Sequence, residues 1–244
     1  MIRHLVPGVR VVLLDIEGTT TSIAFVHETL FPYARARLDR YLEAHWSDAE
    51  VGEIAAQLAR ERQADRTEAP PWRDDSPAAA RASAAAYAHR LMDRDRKSPG
   101  LKQLQGLIWE DGYRAGELRG EVWDDVPAAM RRWHEAGLSI AIYSSGSELA
   151  QRRLFESTNY GDLTPLVTAF FDTAVGSKLS PASYRNIAGA LDCEPREICF
   201  VSDVTAELRA AREAGCHVVL SVRPQNPPQQ DANDFASIVS FETL

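Results

Sequence analysis

From residue 124 onwards, apolar segments typical of β-strands alternate with segments that have helical periodicity. Alternation of this kind is typical of a parallel sheet covered by helices. A further strand is predicted near the N-terminus, directly after Pro7-Gly8. The predicted strands are 9–14, 138–143, 197–201 and 217–222.

The first two predicted strands are separated by a long segment that carries only helical patterns. Two of its helices begin at a serine followed by proline, at Ser76 and Ser98, which is the pattern of an N-cap with proline in the first turn. We therefore predict an α/β fold, in which a Rossmann-like parallel sheet core is interrupted after its first strand by an α-helical insert. The predicted domains are a core at 1–22 and 124–244 and an insert at 23–123.

The chain has 244 residues and a net charge of −8. This charge disfavours nonspecific binding to nucleic acid or to an anionic membrane, because both require a positive protein surface. No segment has the length and apolarity of a membrane span or of a secretory signal, and the 3 cysteines form no C-x-x-C pair. We therefore expect a soluble, cytoplasmic protein with reduced thiols and with no nucleic-acid or membrane partner. A monomer is also expected.

Polar residues stand at the ends of three predicted strands: Asp15, Ser144 and Asp203. The carboxyl ends of parallel strands share one edge of the sheet, where ligands bind. Lys178, just before a predicted helix, is a fourth candidate for this edge. Two carboxylates, a hydroxyl and an ammonium group together are typical of a site for metal and phosphate. Each residue alone has an ordinary interpretation as a strand end, a turn, a surface lysine or a helix cap, but their coincidence favours the functional one.

The segment Asp15-Ile16-Glu17-Gly18-Thr19-Thr20 resembles the first motif of the haloacid dehalogenase superfamily, and Ser144, Lys178 and Asp203 resemble its second, third and fourth motifs in order. The insert lies where these enzymes carry a helical cap. Glu17 stands where most of the superfamily has aspartate, and this difference is characteristic of the enolase-phosphatases (acireductone synthases) of methionine salvage. Further segments that resemble this family are 102–109, 112–113, 116–118, 161–164, 182–187 and 201–207.

The resemblance implies a phosphohydrolase that uses one Mg²⁺ per chain. Asp15 is then the nucleophile that forms an aspartyl-phosphate, and the implied metal ligands are Asp15, the residue at Glu17 through its backbone carbonyl, and Asp203. The resemblance also implies that the side chain of Glu17 transfers a proton to the leaving oxygen. The residues implied in phosphate binding are Ser144, Ser145 and Lys178.

Three further residues have two interpretations each. Glu207 lies four residues after Asp203, where it either orients the metal shell or places a favourable charge at a helix N-terminus. Trp109 and Tyr113 occupy positions i and i+4 of a helix in the insert. They either pack in the core of the insert or close over the apolar end of a substrate.

The family implies two reactions on a small phosphorylated diketone, 2,3-diketo-5-methylthiopentyl-1-phosphate. Enolisation comes first, and loss of phosphate then gives the acireductone, 1,2-dihydroxy-3-keto-5-methylthiopentene. Two alternatives stay open. One is a phosphatase of the same fold that acts on another small phosphate ester, which the insert sequence disfavours. The other is a receiver-like signalling module that accepts a phosphoryl group without turnover, which the large insert after the first strand disfavours.

Overall fold

The computed structural model describes residues 7–67, 69–96 and 98–244. By their internal contacts these residues form two compact units. The first unit comprises the described residues up to Val26 together with Arg119–Leu244, and the second comprises His27–Leu118. The predicted domain boundaries, after residues 22 and 123, differ from these by a few residues.

The regular elements of the described residues are as follows. The strands are β1 (Val11–Leu14), β2 (Ser139–Tyr143), β3 (Ala169–Phe171), β4 (Ile198–Ser202), β5 (His217–Ser221) and β6 (Ser237–Ile238). The α-helices are α1 (Phe31–His45), α2 (Ala49–Ala64), α3 (Pro77–Asp93), α4 (Pro99–Arg114), α5 (Asp125–Glu135), α6 (Glu148–Glu156), α7 (Pro181–Ala190) and α8 (Thr205–Ala214). A π-helical stretch covers Phe25–Leu30, and short 3₁₀ turns cover Thr164–Leu166, Pro195–Glu197, Ala232–Asp234 and Phe241–Thr243.

The first unit is built on one parallel sheet with the strand order β3-β2-β1-β4-β5-β6. Strand β1 lies in the interior of the sheet and is buried over its whole length, as its four apolar residues predict. Val11 and Leu13 face the apolar cluster formed with helices α7 and α8. Val12 and Leu14 alternate with them and point to the opposite face. The predicted α/β fold with a parallel sheet is confirmed.

The predicted strands at 9–14, 138–143, 197–201 and 217–222 correspond to β1, β2, β4 and β5, with ends shifted by one or two residues. The sequence does not predict β3 and β6. They have three and two residues, which is too short for an alternating pattern to be visible. Both lie at the edges of the sheet, where a strand pairs with a single neighbour.

The second unit consists of helices α1 to α4. The two predicted N-caps are confirmed: Ser76 Oγ accepts a hydrogen bond from the Ala79 N–H, and Ser98 Oγ accepts one from the Leu101 N–H. Each cap is followed by proline in the first turn, where a missing N–H costs no hydrogen bond. Within the described ranges, no helix combines the length and the apolar character needed to cross a membrane.

The segment 223–230 is irregular, but its first residue, Arg223, is buried. Arg223 Nη1 donates to Asp125 Oδ2 at 2.7 Å, and Nε donates to the Thr19 carbonyl at 3.0 Å. The guanidinium also lies over the rings of Trp123 and Phe241. A buried charge is costly without such partners, so these contacts explain an arginine inside the unit. They also attach the loop that follows β1 to the C-terminal part of the chain.

We predict that Asp125→Asn lowers the free energy of unfolding by roughly 3 kcal/mol, because the Arg223 charge then stays buried without its anionic partner. Burial raises the pKa of Asp125, but hydrogen bonds from Arg223 and from the Phe241 N–H outweigh burial, so the pKa is lowered. The stabilisation is therefore present above the unfolded pKa of about 3.9 and is lost as the pH falls through the lower folded pKa.

Urea unfolding at neutral and at acidic pH measures both effects. The variant and the native protein should differ at pH 7, and their stabilities should converge in acid. Asp75→Asn is the control, since it removes an acid that is paired with Arg73 at the exposed surface. An Asp125→Asn protein as stable as the native one at pH 7 would show that the pair contributes nothing.

Candidate active site

Asp15 follows β1 at the carboxyl edge of the sheet, and only 5% of its surface is exposed. Its backbone N–H donates to the Val201 carbonyl at 3.0 Å, which continues the pairing of β1 with β4. Its Oδ1 accepts a hydrogen bond from the Ile16 N–H at 2.7 Å and lies 2.7 Å from Lys178 Nζ. One carboxylate oxygen is thus fixed by two donors, so the orientation of the whole group is fixed.

Lys178 Nζ lies between two carboxylates, at 2.7 Å from Asp15 Oδ1 and 2.6 Å from Glu207 Oε2. Burial lowers the pKa of Lys178, but the negative charges of Asp15 and Glu207 outweigh burial and raise it. The ammonium group therefore stays protonated. Glu207 is in the first turn of α8, so its charge is also favourable at that helix N-terminus.

Asp203 directly follows β4 and packs against Gly18. A Cβ atom at Gly18 would collide with the Asp203 carboxylate, and Gly18 has a φ of +69°, which other residues rarely adopt. Burial, and then repulsion by Asp15 and Glu207, raise the pKa of Asp203 to about 7, against the opposing effect of Lys178. Asp203 is thus a third carboxylate near an ammonium group that pairs with Asp15 and Glu207, and the excess of negative charge favours binding of a further cation.

Ser144 lies at the end of β2, at the same edge of the sheet. Since Leu14 is level with Ile142, Ser144 stands one residue beyond the level of Asp15. Ser144 is buried and its Oγ accepts a hydrogen bond from the Gly146 N–H at 3.4 Å. Ser145 is exposed. The structure therefore brings both serines to the expected edge of the sheet.

Glu17 lies in the loop that follows Asp15, is partly buried, and forms a β-bridge with Thr21. The loop is held through the carbonyl of Gly18. Asn226 Nδ2 donates to this carbonyl at 2.8 Å, and Ser221 Oγ lies 3.3 Å from it. The sequence does not predict these contacts, because Ser221 and Asn226 lie some two hundred residues away in the chain and carry no motif.

Ser202 is a further polar residue of the site to which the sequence motifs assign no role, although a polar residue at the end of an apolar strand is a visible signal. Ser202 is fully buried, and its Oγ lies 3.0 Å from Glu207 Oε2 and 3.3 Å from Asp15 Oδ2. The same oxygen accepts a hydrogen bond from the Val204 N–H. Because a serine has one hydroxyl proton, it donates to one of the two carboxylates at a time.

Trp109 and Tyr113 lie on α4 in the second unit, and both are buried. Trp109 Nε1 donates to the Leu30 carbonyl at 2.8 Å, and its ring lies 6.1 Å from that of Phe31. Burial raises the pKa of Tyr113. These contacts agree with the packing interpretation, and a substrate contact of either residue stays a prediction.

Comparisons with known proteins agree with this arrangement. Residues 9–215 match the family of haloacid dehalogenase-like hydrolases. The chain is 45% identical over 239 residues to enolase-phosphatase E1 of Synechococcus elongatus, covering 97% of this chain and 98% of that protein. It is 43% identical to a probable bifunctional methylthioribulose-1-phosphate dehydratase/enolase-phosphatase E1 of Populus trichocarpa, covering 98% of this chain and 47% of that protein. The solved structure of the UTR4 protein of Saccharomyces cerevisiae is similar with a TM-score of 0.77 at 32% identity, covering 97% of this chain and 100% of that chain.

The fold and the site define a phosphohydrolase with an acidic residue at the carboxyl end of its central strand. The chain belongs to the haloacid dehalogenase-like hydrolases and, within them, groups with the enolase-phosphatases. The family predicted from the motifs is thereby confirmed. A receiver-like signalling module does not fit a chain that belongs to a hydrolase family.

We predict that Gly18→Ala lowers the rate of phosphate release by about a hundredfold, since displacing a reacting group by about 1 Å can cost that much. The added methyl group forces the Asp203 carboxylate away from its position. Gly116→Ala is the matched control, because Gly116 has a φ of +72° but has no atom within 4 Å of its Cβ position.

Both variants carry the strain of a left-handed residue, about 1–2 kcal/mol, which urea unfolding measures. Only Gly18→Ala should lose phosphatase activity. Equal activity in the two variants would show that the position of Asp203 does not matter for turnover.

Proposed function

We propose that the protein converts 2,3-diketo-5-methylthiopentyl-1-phosphate to the acireductone 1,2-dihydroxy-3-keto-5-methylthiopentene and phosphate, by enolisation followed by dephosphorylation. The observation that carries this proposal is the buried Asp15 carboxylate, held 2.7 Å from Lys178 at the sheet edge in a chain of this family. The name of the Populus relative supports the substrate class. Loss of water from a methylthioribulose phosphate gives a methylthio diketone phosphate of this kind.

In the phosphatase step, Asp15 attacks phosphorus and the bond to the leaving enol oxygen breaks. Water then hydrolyses the aspartyl-phosphate and restores the carboxylate. Lys178 offsets the negative charge on the phosphoryl oxygens as the phosphoryl group passes from the reactant to the transition state. Ser144 and Ser145 hold phosphoryl oxygens by hydrogen bonds, and Glu17 gives a proton to the leaving oxygen. In this proposal the first unit is the catalytic core and the helical unit is the cap domain.

The residues of the site fit one Mg²⁺ per chain. The proposed ligands are the carboxylates of Asp15 and Asp203 and the backbone carbonyl of Glu17. Within the described residues, no three side chains of His, Cys, Asp or Glu are arranged as a metal site. Magnesium does not need such a set, because it binds through one or two carboxylates and keeps several waters. When bound, Mg²⁺ would offset part of the negative charge on the phosphate and on the enediolate.

We predict that Asp15→Asn abolishes phosphate release while the fold is retained, because the amide is close in shape but is not an anionic nucleophile. Enolisation needs no aspartyl-phosphate, so the variant should still exchange the proton on the carbon beside the carbonyl. NMR in deuterated solvent follows the exchange, and a phosphate assay follows the second step. Magnesium should be varied in both, since the substitution also changes a proposed metal ligand.

The native protein and Asp75→Asn, which alters an exposed acid, are the controls and should carry out both steps. Normal phosphate release by a folded Asp15→Asn protein would contradict the proposed nucleophile. If the native protein releases phosphate from simple esters but catalyses neither exchange nor acireductone formation, it is a phosphatase for another small ester.

We predict that chelation of divalent cations abolishes phosphate release and that added Mg²⁺ restores it. Asp203→Asn should raise the Mg²⁺ concentration needed for half-maximal activity at least about tenfold, because it removes one of the few charged oxygen ligands. Titration of activity with Mg²⁺ measures this. Full activity after exhaustive chelation would rule out a metal-dependent reaction.

The expected monomeric state and cytoplasmic location stay predictions from the sequence.

A further inference from the structure

Four consecutive carbonyl groups, at residues 175–178, each accept a hydrogen bond from a side chain; we call this segment the lysine loop, since it ends at the proposed phosphate-binding lysine. The donors, in the order of the carbonyls, are Asn186 Nδ2 at 3.2 Å, Tyr143 Oη at 2.9 Å, Ser183 Oγ at 2.7 Å and Tyr184 Oη at 2.8 Å. Carbonyls of surface loops are usually left to water, so a complete set of protein donors is a distinct arrangement. We call these four donor residues the clamp.

Three of the four clamp residues, Ser183, Tyr184 and Asn186, stand in the first two turns of α7. They belong to the segment 182–187, which resembles the enolase-phosphatases but has no part in the proposed reaction itself. Gly176 allows the loop to approach this helix, because a Cβ atom there would collide with Ser183 Oγ. The close approach and the hydrogen bonds therefore depend on each other.

One clamp tyrosine, Tyr143, also lies next to the lysine ammonium group, and the other, Tyr184, packs against the ring of Tyr143. Lys178 Nζ lies 5.8 Å from the centroid of the Tyr143 ring and 6.0 Å from that of Phe200. The Tyr184 ring contacts both, at centroid distances of 5.7 Å and 5.1 Å, and all three rings are fully buried. The ring faces attract the ammonium group, while the hydroxyl groups hold the backbone that carries it.

We propose that Tyr143, Ser183, Tyr184 and Asn186 are positioning residues that act on the phosphatase reaction through Lys178. They fix the backbone of the lysine loop, and two of them fix the surroundings of the ammonium group, so that Lys178 stands between Asp15 and Glu207 before substrate binds. Charged groups that are already in place need no reorganisation as charge develops on the phosphoryl group. This inference rests on the proposed role of Lys178.

The first test uses Tyr184→Phe and Tyr143→Phe, each of which removes one hydroxyl and keeps the ring. Each should lower kcat for phosphate release about tenfold, a factor in the range expected when one buried carbonyl loses its donor. Hydrogen–deuterium exchange should also become faster in the peptide that contains the lysine loop. Tyr87→Phe is the matched control, because Tyr87 is a buried tyrosine whose hydroxyl contacts Asp65 in the helical unit. It should change neither quantity.

A double-mutant cycle with Lys178→Met separates positioning from general stability. If the clamp acts through Lys178, Tyr184→Phe should change turnover less than about twofold once the lysine is gone. The affinity for inorganic phosphate in the presence of Mg²⁺, measured by calorimetry, is a second readout that needs no turnover. The effects of the two substitutions on this affinity should be non-additive in the same way. If Tyr184→Phe does not fold, Tyr143→Phe and Ser183→Ala carry the same cycle.

Additive effects of Tyr184→Phe and Lys178→Met would overturn the proposal, because the tyrosine would then act by stability alone. Native turnover in both tyrosine variants, together with loss of turnover in Lys178→Met, would overturn the clamp and leave the proposed function in place. Native turnover in Lys178→Met would instead remove the role of Lys178 from the proposed function, and the clamp with it.

Discussion

The contact on which the site depends is that of Lys178 with Asp15 and Glu207, at 2.7 and 2.6 Å, inside the protein. Removing three charges from water is costly, and the mutual attraction offsets that cost only when the geometry is good. The negative charge of the site also exceeds its positive charge, because the nearby Asp203 adds a third carboxylate. Its pKa is raised. This negative charge supports the proposed Mg²⁺ site, and one fixed ammonium group lies next to Asp15, the proposed nucleophile.

The fold brings these groups together through the register of neighbouring strands and the positions at which two helices begin. Strands β1 and β4 are neighbours in register, so Asp15 and Asp203 follow at the same edge of the sheet. Helix α8 begins at Thr205, two residues after Asp203, and its first turn places Glu207 next to Lys178. Lys178 lies three residues before the start of α7, whose apolar face packs on the same side of the sheet as that of α8. Asp15 and Asp203 thus directly follow buried strands, and Lys178 and Glu207 lie close to the first turns of two helices.

The sequence patterns that predict the fold are local, and they predict local features well. The apolar run before Asp15 and the proline-containing caps at Ser76 and Ser98 each depend on a few neighbouring residues. The unpredicted features depend on partners that are distant in the chain. Arg223 can be buried because it pairs with Asp125, which lies about a hundred residues earlier in the chain. The short edge strands form because longer neighbours offer them hydrogen bonds.

Tyr143 illustrates a second limit. An aromatic residue at the end of an apolar strand predicts core packing, and its ring is indeed fully buried. The same residue carries a hydroxyl whose partner, the Gly176 carbonyl, is set by the path of a loop. A residue type indicates that a buried hydroxyl needs a partner, but only the folded chain determines which partner it has.

The two loops that carry the proposed reactive groups are held in a similar way. In the loop after Asp15, the carbonyls of Gly18 and Thr19 accept hydrogen bonds from Asn226 and Arg223. In the lysine loop, the carbonyls of 175–178 accept hydrogen bonds from the clamp. In both cases the backbone is fixed through its acceptors, by side chains that are not themselves reactive. A reactive side chain then keeps its own donors and acceptors for the phosphate, the cation and its charged neighbours, while its position is set by the backbone beneath it.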